Sequence, residues 1–153
     1  MKWGSAKFYG MNISDLKSPH VKTGGICYFA RMIDKVRFNE KGALPKDYLP
    51  NLGGGFDKRC IDFLWIEYPA FVARVKQGGS DEEILEWAFG QGRKPNEEEI
   101  EVWNEFMRKR GWKDEASERL QMRKAESGFP ERADIETFFD YIDLDEGRDP
   151  RKG

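Results

Sequence analysis

Four charged residues lie beside the apolar stripe of one predicted amphipathic helix. Arg31 and Lys35 are four residues apart and therefore share a helix face. Asp34 follows Arg31 by three residues, and Arg37 follows Asp34 by another three. An arginine guanidinium binds carboxylates and phosphates through two parallel hydrogen bonds, and a lysine ammonium acts as a mobile point charge. This group could therefore bind an anion, or it could form an internal network of ion pairs that orients the helix.

Two glycine runs precede predicted helices and could let backbone N–H groups approach an anion. Gly24 and Gly25 follow Lys22 and have no acidic neighbour at the helix start, so they fit an anion site. Gly53–Gly55 lacks the glycine and lysine spacing of a P-loop, and Asp57 would repel an anion there. We interpret this second run as a flexible surface turn. The candidate ligand-binding residues are Lys22, Gly24, Gly25, Arg31, Asp34, Lys35 and Arg37.

An enzyme would need an acid or a base beside this anion site. Asp34, Asp57 and Glu67 are the candidate bases for a small hydrolase or isomerase. Their spacing forms no recognisable acid–base machinery, so the sequence favours a binding module for an anionic small molecule or for an acidic group of a partner protein. The directions in which the Arg31 and Lys35 side chains point distinguish these interpretations. A concave pocket with a facing carboxylate favours an enzyme, whereas burial against the C-terminal acids indicates a structural network.

Other chemistries find less support in the sequence. The acids in the range 140–149 do not have the spacing of a calcium-binding EF-hand loop, so we interpret them as a solvent-exposed face to which Arg148 can fold back. Cys27 and Cys60 have no CxxC spacing and resemble small core residues. His20 is the only histidine, and we expect it to be exposed or to cap a turn. Neither a metal nor a cofactor is expected.

Composition limits the classes of partner. The 153 residues suit one domain, and their net charge is −2. Residues 1–76 hold 13 Lys and Arg against 7 Asp and Glu, whereas residues 77–153 hold 13 against 21. The acidic balance and the lack of a basic run argue against nucleic-acid binding. We find no signal peptide and no membrane span, so we expect a cytoplasmic protein with no membrane partner. The split charge is compatible with a homodimer.

Helical periodicity recurs along most of the chain, and no convincing alternating strand is found. The sequence predicts an all-α fold, a single compact domain of six to seven short helices joined by Gly/Pro loops. An N-terminal arm, residues 1–18, would pack on a helical domain, residues 19–145, before a polar tail, residues 146–153. A short β-hairpin remains an alternative within residues 1–24 or 43–56.

Local signals set several helix starts. The first helix is expected from Gly25 to Phe38. Capping boxes begin at Ser80 and Asn96, and Asp57 and Asp134 are expected to cap two other helices. Six aromatic residues fall at apolar helix positions and are expected in the core: Trp65, Phe71, Trp87, Phe89, Trp103 and Phe106.

Several motifs in order resemble one known family. They are Leu16–Pro19, Gly24–Gly25, Arg31–Arg37, Ser80–Trp87 and Thr137–Arg148. Their order and spacing resemble the bacterial domain family DUF5069 over about residues 12–148. The resemblance implies a single helical domain from a bacterium. It implies no catalytic residues, because the family has no assigned activity.

Overall fold

The computed structural model describes residues 13–149, and within them the chain forms seven α-helices and one small hairpin. The helices are α1 (Phe29–Glu40), α2 (Phe56–Leu64), α3 (Tyr68–Lys76), α4 (Asp81–Gln91), α5 (Glu97–Lys109), α6 (Ser117–Glu126) and α7 (Phe138–Asp145). The strands are β1 (Lys22–Thr23) and β2 (Ile26–Cys27), and 3₁₀ turns span Ile13–Asp15 and Lys46–Asn51. The all-α prediction is confirmed. The first twelve residues of the expected arm lie outside the described residues.

The predicted start of the first helix at Gly25 is wrong by four residues, because β1 and β2 pair antiparallel before the helix begins. Gly24 and Gly25 have φ values of 55° and 82°, a left-handed conformation that suits a tight turn and not a helix. Asn104 of α5 fixes this turn: its Oδ1 accepts from Cys27 N at 2.9 Å, and its Nδ2 donates to Gly25 O at 2.8 Å. A contact from a distant helix therefore stabilises the hairpin.

The capping boxes are confirmed, but two other cap predictions are wrong. The side chains of Ser80 and Asn96 each accept a hydrogen bond from the backbone N–H three residues on. The glutamate at that position in turn accepts a hydrogen bond from the backbone N–H of the cap residue. Helix α2 begins one residue before Asp57, whose carboxylate is buried instead of capping the helix. Helix α7 is capped by Thr137, three residues after Asp134. A cap requires a side chain that faces back to the helix start, and tertiary contacts turn Asp57 elsewhere.

The main core gathers apolar side chains from the hairpin and from α1, α2, α3, α4, α5 and α7. At its centre, the rings of Phe29 and Phe71 meet edge to face with centroids 5.7 Å apart. A second apolar cluster joins α6 to α7 through Leu120, Ile135 and Phe138. Buried rings of this kind contribute beyond their apolar area by about 0.5–1.5 kcal/mol per pair. The two clusters hold α6 and α7 at a fixed distance from α1.

Gly92 lets the chain after α4 lie directly on the end of α2. A side chain at this position would overlap the carbonyl oxygens of Leu64 and Trp65, and Arg93 N donates to Leu64 O at 3.1 Å. The tight crossing leaves Trp65 outside the core with a φ of 59° and 68% of its surface exposed. The core prediction is therefore wrong for Trp65, and also for Phe106, which is 39% exposed. It is confirmed for the buried residues Phe71 and Trp103.

Both cysteines are buried and free, as expected for core residues. Burial raises the pKa of the Cys27 thiol to about 12, so it is not a reactive thiolate at neutral pH. Among residues 13–149, no helix is long and apolar enough to cross a membrane. The same part of the chain contains no cluster of three metal-ligating His, Cys, Asp or Glu side chains.

Candidate functional site

The charged residues of α1 separate into two groups with different neighbours. Arg31 and Lys35 are buried and lie on the wall of a cavity. Asp34 and Arg37 instead meet residues from the N-terminal segment and from α4. Asp34 accepts from the backbone N–H of Lys17 at 3.0 Å, and Arg37 Nη1 lies 2.9 Å from Asp81 Oδ1. The four residues therefore do not form one site.

Arg31 forms a buried bidentate ion pair with Glu146, the residue that follows α7. Its Nη1 and Nη2 donate to the two carboxylate oxygens of Glu146 at 2.8 and 2.5 Å. Tyr48 Oη donates to the same carboxylate at 2.6 Å, and Arg148 Nη1 donates at 2.7 Å. Burial alone would raise the pKa of Glu146, but the charges of Arg31 and Arg148 and the hydrogen bonds from Arg31 and Tyr48 together outweigh burial and lower it. This part of the predicted group is a structural network, because both terminal nitrogens of Arg31 donate hydrogen bonds within the protein.

Lys35 forms a second buried group with Asp57 and Tyr28, and we call these three residues the inner cluster. Lys35 Nζ lies 2.9 Å from Asp57 Oδ1 and 3.3 Å from Tyr28 Oη. Tyr28 donates its hydroxyl to Asp57 Oδ1 at 2.7 Å, and Gly53 N donates to Asp57 Oδ2 at 3.0 Å. Burial lowers the pKa of Lys35 despite the opposing charge of Asp57. Burial also raises the pKa of Tyr28, so its phenol keeps the proton that it donates.

The turn Gly53–Gly55 places Asp57 in the inner cluster and is not a simple surface turn. Gly53 has a φ of 75°, and a Cβ on it would lie 2.8 Å from a ring carbon of Tyr68. Only glycine combines this conformation with so close a neighbour. Because the Gly53 N–H points to the Asp57 carboxylate, the glycine run binds an internal anion in place of an external one.

A cavity of about 930 Å³ opens between α1, α2 and the α6–α7 pair, and the 3₁₀ turn Lys46–Asn51 forms another side. Tyr28, Arg31 and Lys35 line its wall. Its lining includes seven Lys or Arg and five Asp or Glu, so fully ionised groups leave a positive balance. Cavities of roughly 300–1,000 Å³ are typical of small-molecule sites. This cavity is the place where the chain can enclose a ligand.

Three exposed arginines line the cavity, and we call Arg59, Arg119 and Arg123 the rim arginines. Arg59 lies over the ring of Phe106 at 5.1 Å, and Arg119 lies over the ring of Phe138 at 5.5 Å. Within residues 13–149, none of the three forms an ion pair with a carboxylate. The other exposed cation of the lining differs, because Lys58 pairs with Asp62 at 2.9 Å. The rim arginines therefore hold donors that an entering anion can use.

The chain has a recognisable family that covers this whole arrangement. A sequence model described as a domain of unknown function, DUF5069, matches residues 13–148. The chain belongs to the DUF5069 family. No curated protein matches it closely enough to be a relative. The matched span contains both Arg31 and Glu146, so the buried pair that closes the fold lies entirely inside the DUF5069 domain.

The hairpin residues of the sequence-based candidate site do not line the DUF5069 cavity. Lys22, Gly24 and Gly25 are not part of its lining, and Lys22 pairs with Cys27 in the hairpin ladder. A Cβ on Gly24 would overlap the side chain of Leu85, so this glycine serves close packing. Of the seven predicted residues, only Arg31 and Lys35 reach the cavity wall.

Three of the five C-terminal acids of the DUF5069 domain are buried, so the prediction of a solvent-exposed face is wrong for them, whereas Asp149 is exposed. Asp143, Asp145 and Glu146 are only 3%, 6% and 1% exposed. Arg148 does fold back as expected, and its Nη1 lies 3.2 Å from Asp143 Oδ1. Burial raises the pKa of Asp143. A run of acidic residues in a sequence suggests an exposed surface, because the cations that pair with it in the fold come from distant segments.

His20 is also placed differently from the expectation. Its ring meets Phe139 edge to face with centroids 5.0 Å apart, and its Nε2 lies 4.0 Å from Asp143 Oδ2. Its side chain is only 11% exposed, so the expectation of an exposed histidine is wrong. His20 is not part of the cavity lining.

Sequence reasoning missed the rim arginines of the DUF5069 cavity. One local signal could have found two of them: Arg119 and Arg123 are four residues apart and share a face of α6, a helix with few apolar residues. Nothing local distinguishes Arg59 from Lys58, the other cation of α2. Tyr48 carries no sequence signal for a site either, because aromatic residues are common in any core.

Proposed function

We propose that this DUF5069 domain is a binding module that receives an anionic small molecule in the cavity between α1, α2 and α6–α7. The observation that carries the proposal is the set of rim arginines, which have no carboxylate partner among residues 13–149, at a cavity of about 930 Å³. Guanidinium groups at the edge of a cavity attract anions from solution and bind phosphate or carboxylate oxygens in pairs. The ligand group expected here is therefore a phosphate or a carboxylate.

The rest of the cavity favours a small molecule over the acidic group of a partner protein. Phe56 and Phe138 add apolar lining, and Tyr48 and Tyr28 place phenol groups beside it. A concave site with aromatic walls and a few polar groups is typical of small-molecule pockets. A partner protein would contact a broader, flatter surface. Arg31 contributes to this site by holding Glu146 and the 3₁₀ turn at the wall.

Anion binding at the rim can be tested with inorganic phosphate and pyrophosphate as probes. Thermal melting and calorimetric titration of the wild-type protein should show stabilisation that weakens as sodium chloride is raised. Arg119→Ala and Arg123→Ala should each weaken pyrophosphate binding about tenfold, which corresponds to about 1.4 kcal/mol. Arg119 and Arg123 are both exposed, so the melting temperatures of the two variants without ligand should stay close to that of the wild-type protein.

The matched control is Arg108→Ala. Arg108 lies on α5 outside the cavity lining and hydrogen-bonds Glu105 at 2.7 Å, so its removal takes away the same charge elsewhere. The proposal fails if no anion stabilises the wild-type protein, or if Arg108→Ala weakens binding as much as the rim variants. Native mass spectrometry of the purified protein would in addition reveal an anion that copurifies and is released on denaturation.

A second candidate function is an enzyme. One observation favours Asp57 as its base over the two other carboxylates that the sequence offers. Of the three carboxylates considered as a base, only Asp57 touches a residue of the cavity wall. Asp34 faces Lys17, and Glu67 is exposed outside the lining. A hydrolase- or isomerase-like activity would therefore use the inner cluster.

We further propose that the protein works in the cytoplasm of a bacterium. Cys27 and Cys60 are both buried and free, and free thiols persist best in a reducing compartment. A homodimer also stays a proposal. Size-exclusion chromatography with light scattering would measure the oligomeric state directly.

A further inference from the structure

We propose that Lys35 forms an imine with a carbonyl group of the molecule bound in the cavity. The proposal depends on the inner cluster for the chemistry and on the proposed anion site for the ligand class. Together they indicate a small aldehyde or ketone that also carries a phosphate or a carboxylate.

The position of Lys35 carries the proposal. Its side chain is 7% exposed and lies on the cavity wall, so a bound molecule can reach it while bulk water has little access. Burial shifts the protonation of Lys35 towards the neutral amine, which is the nucleophilic form. Of the two lysines in the cavity lining, Lys35 is therefore the buried one, whereas Lys58 is exposed and paired with Asp62.

Asp57 and Tyr28 supply what the reaction needs at the same nitrogen. Asp57 is fully buried and lies 2.9 Å from Lys35 Nζ, so it can accept the ammonium proton and later pair with a cation. Tyr28 holds its proton, donates it to Asp57 at 2.7 Å, and places its hydroxyl oxygen 3.3 Å from Lys35 Nζ. Burial lowers the pKa of Lys35 and raises that of Tyr28, and neighbouring groups whose pKa values move in opposite directions are typical of sites that move protons.

The step balances without any further reactant. Lys35 Nζ attacks the carbonyl carbon, a C–N bond forms, and the electron pair of the C=O bond moves to oxygen, which takes one proton from the nitrogen. The second nitrogen proton leaves with the hydroxyl group as water, which converts the carbinolamine into an imine. Protonation of that imine gives a cation at the position that the ammonium group occupied. The product can therefore keep the ion pair with Asp57, so condensation does not leave a buried carboxylate unpaired.

Pyridoxal 5′-phosphate is a suitable probe, because it joins an aldehyde to a phosphate on an aromatic ring. The wild-type protein is mixed with a limiting amount of the probe, reduced with borohydride, digested and mapped by mass spectrometry. We expect the label on Lys35 to exceed the mean label on exposed lysines such as Lys76 by at least about tenfold. An even distribution over the exposed lysines, with no preference for Lys35, would overturn the proposal.

Two related compounds separate this proposal from anion binding. Pyridoxine 5′-phosphate keeps the phosphate but has an alcohol in place of the aldehyde, so it should compete for the site without forming an adduct. Pyridoxal has the aldehyde without the phosphate. If pyridoxal labels Lys35 as well as the phosphorylated probe does, the imine proposal stands and the rim anion site fails. If pyridoxine 5′-phosphate binds and neither aldehyde labels Lys35, the anion site stands and the imine proposal fails.

Variants give an independent check. Lys35→Met removes the amine but leaves Asp57 buried without its cation, so this variant can lose stability for reasons unrelated to the imine. Arg123→Ala leaves the inner cluster intact, and it should reduce labelling of Lys35 by pyridoxal 5′-phosphate about tenfold while labelling by pyridoxal stays unchanged. Equal loss with both aldehydes would show that Arg123 acts through the structure and not through the phosphate, and it would overturn the assigned ligand class.

Discussion

Arg31 of α1 and Glu146 at the end of α7 form a buried pair through two hydrogen bonds of 2.8 and 2.5 Å, across 115 positions of sequence. Tyr48 and Arg148 bind the same carboxylate. Arg148 also donates to the backbone oxygen of Leu16. The pair therefore ties the first helix, the 3₁₀ turn and both ends of the described chain into one arrangement.

Arg31→Ala should destabilise the fold by about 3–5 kcal/mol, because it leaves the buried Glu146 carboxylate without its main partner. Urea unfolding followed by circular dichroism measures this change. Glu98→Ala, at an exposed position of α5, is the control and should alter stability by no more than about 0.5 kcal/mol. If Arg31→Ala melts like the control, the pair does not hold the fold and Arg31 becomes available as a ligand contact.

The stability contributed by Glu146 should depend on pH in a defined direction. Its pKa in the folded protein lies below the ordinary value, because the charges and hydrogen bonds of Arg31, Arg148 and Tyr48 together outweigh the effect of burial. The contribution is therefore complete above the unfolded pKa of about 4.3 and is lost as the pH falls towards the folded pKa. Free energies of unfolding for wild type and Glu146→Gln should differ most at neutral pH and converge in acid. Burial raises the pKa of Asp143 and the charge of Glu146 adds to that rise, so Asp143 contributes part of the pH-dependent difference between the two proteins. A gap that stays constant with pH would contradict this account.

Gly92→Ala should destabilise the protein by at least about 2 kcal/mol, because its methyl group would overlap the backbone carbonyls of Leu64 and Trp65. Gly90→Ala is the matched control two residues earlier. A Cβ at Gly90 meets no atom within 4 Å, and alanine favours the helical conformation of α4, so its stability should be unchanged or higher by up to about 1 kcal/mol. Thermal melts of the two variants should therefore shift in different directions. Similar melts for both would show that the α2–α4 crossing relaxes freely.

Lys124→Met should lower stability by about 1–3 kcal/mol, because it leaves two acceptors behind. Lys124 is 3% exposed, and its Nζ donates to the backbone oxygens of Arg132 and Ile135 at 2.6 and 3.1 Å. These bonds hold the loop between α6 and α7 at the side of the cavity. Gln121→Met on the exposed face of α6 is the control. Faster amide exchange in residues 128–136 of Lys124→Met, but not of the control, would locate the effect in that loop.

Local sequence signals predicted those features that depend on nearby residues. The capping boxes at Ser80 and Asn96 were found because their hydrogen bonds join residues three apart. Apolar spacing located the buried faces of α1 and α5, and motif order identified the family. The same spacing indicated that Arg31 and Lys35 share a face, which the cavity wall confirms.

The tertiary structure alone decided what each charged group does. The hairpin depends on Asn104, which lies 79 positions from Gly25, and Asp57 turns inward to Tyr28 and Lys35 instead of capping α2. The rim arginines form one cavity edge only because α2 and α6 are brought together by the core. Sequence fixes the chemistry of each side chain and the local bonds that it can make. Which distant partner neutralises a charge, and which charge remains free for a ligand, depends on the packing of helices that are far apart in sequence.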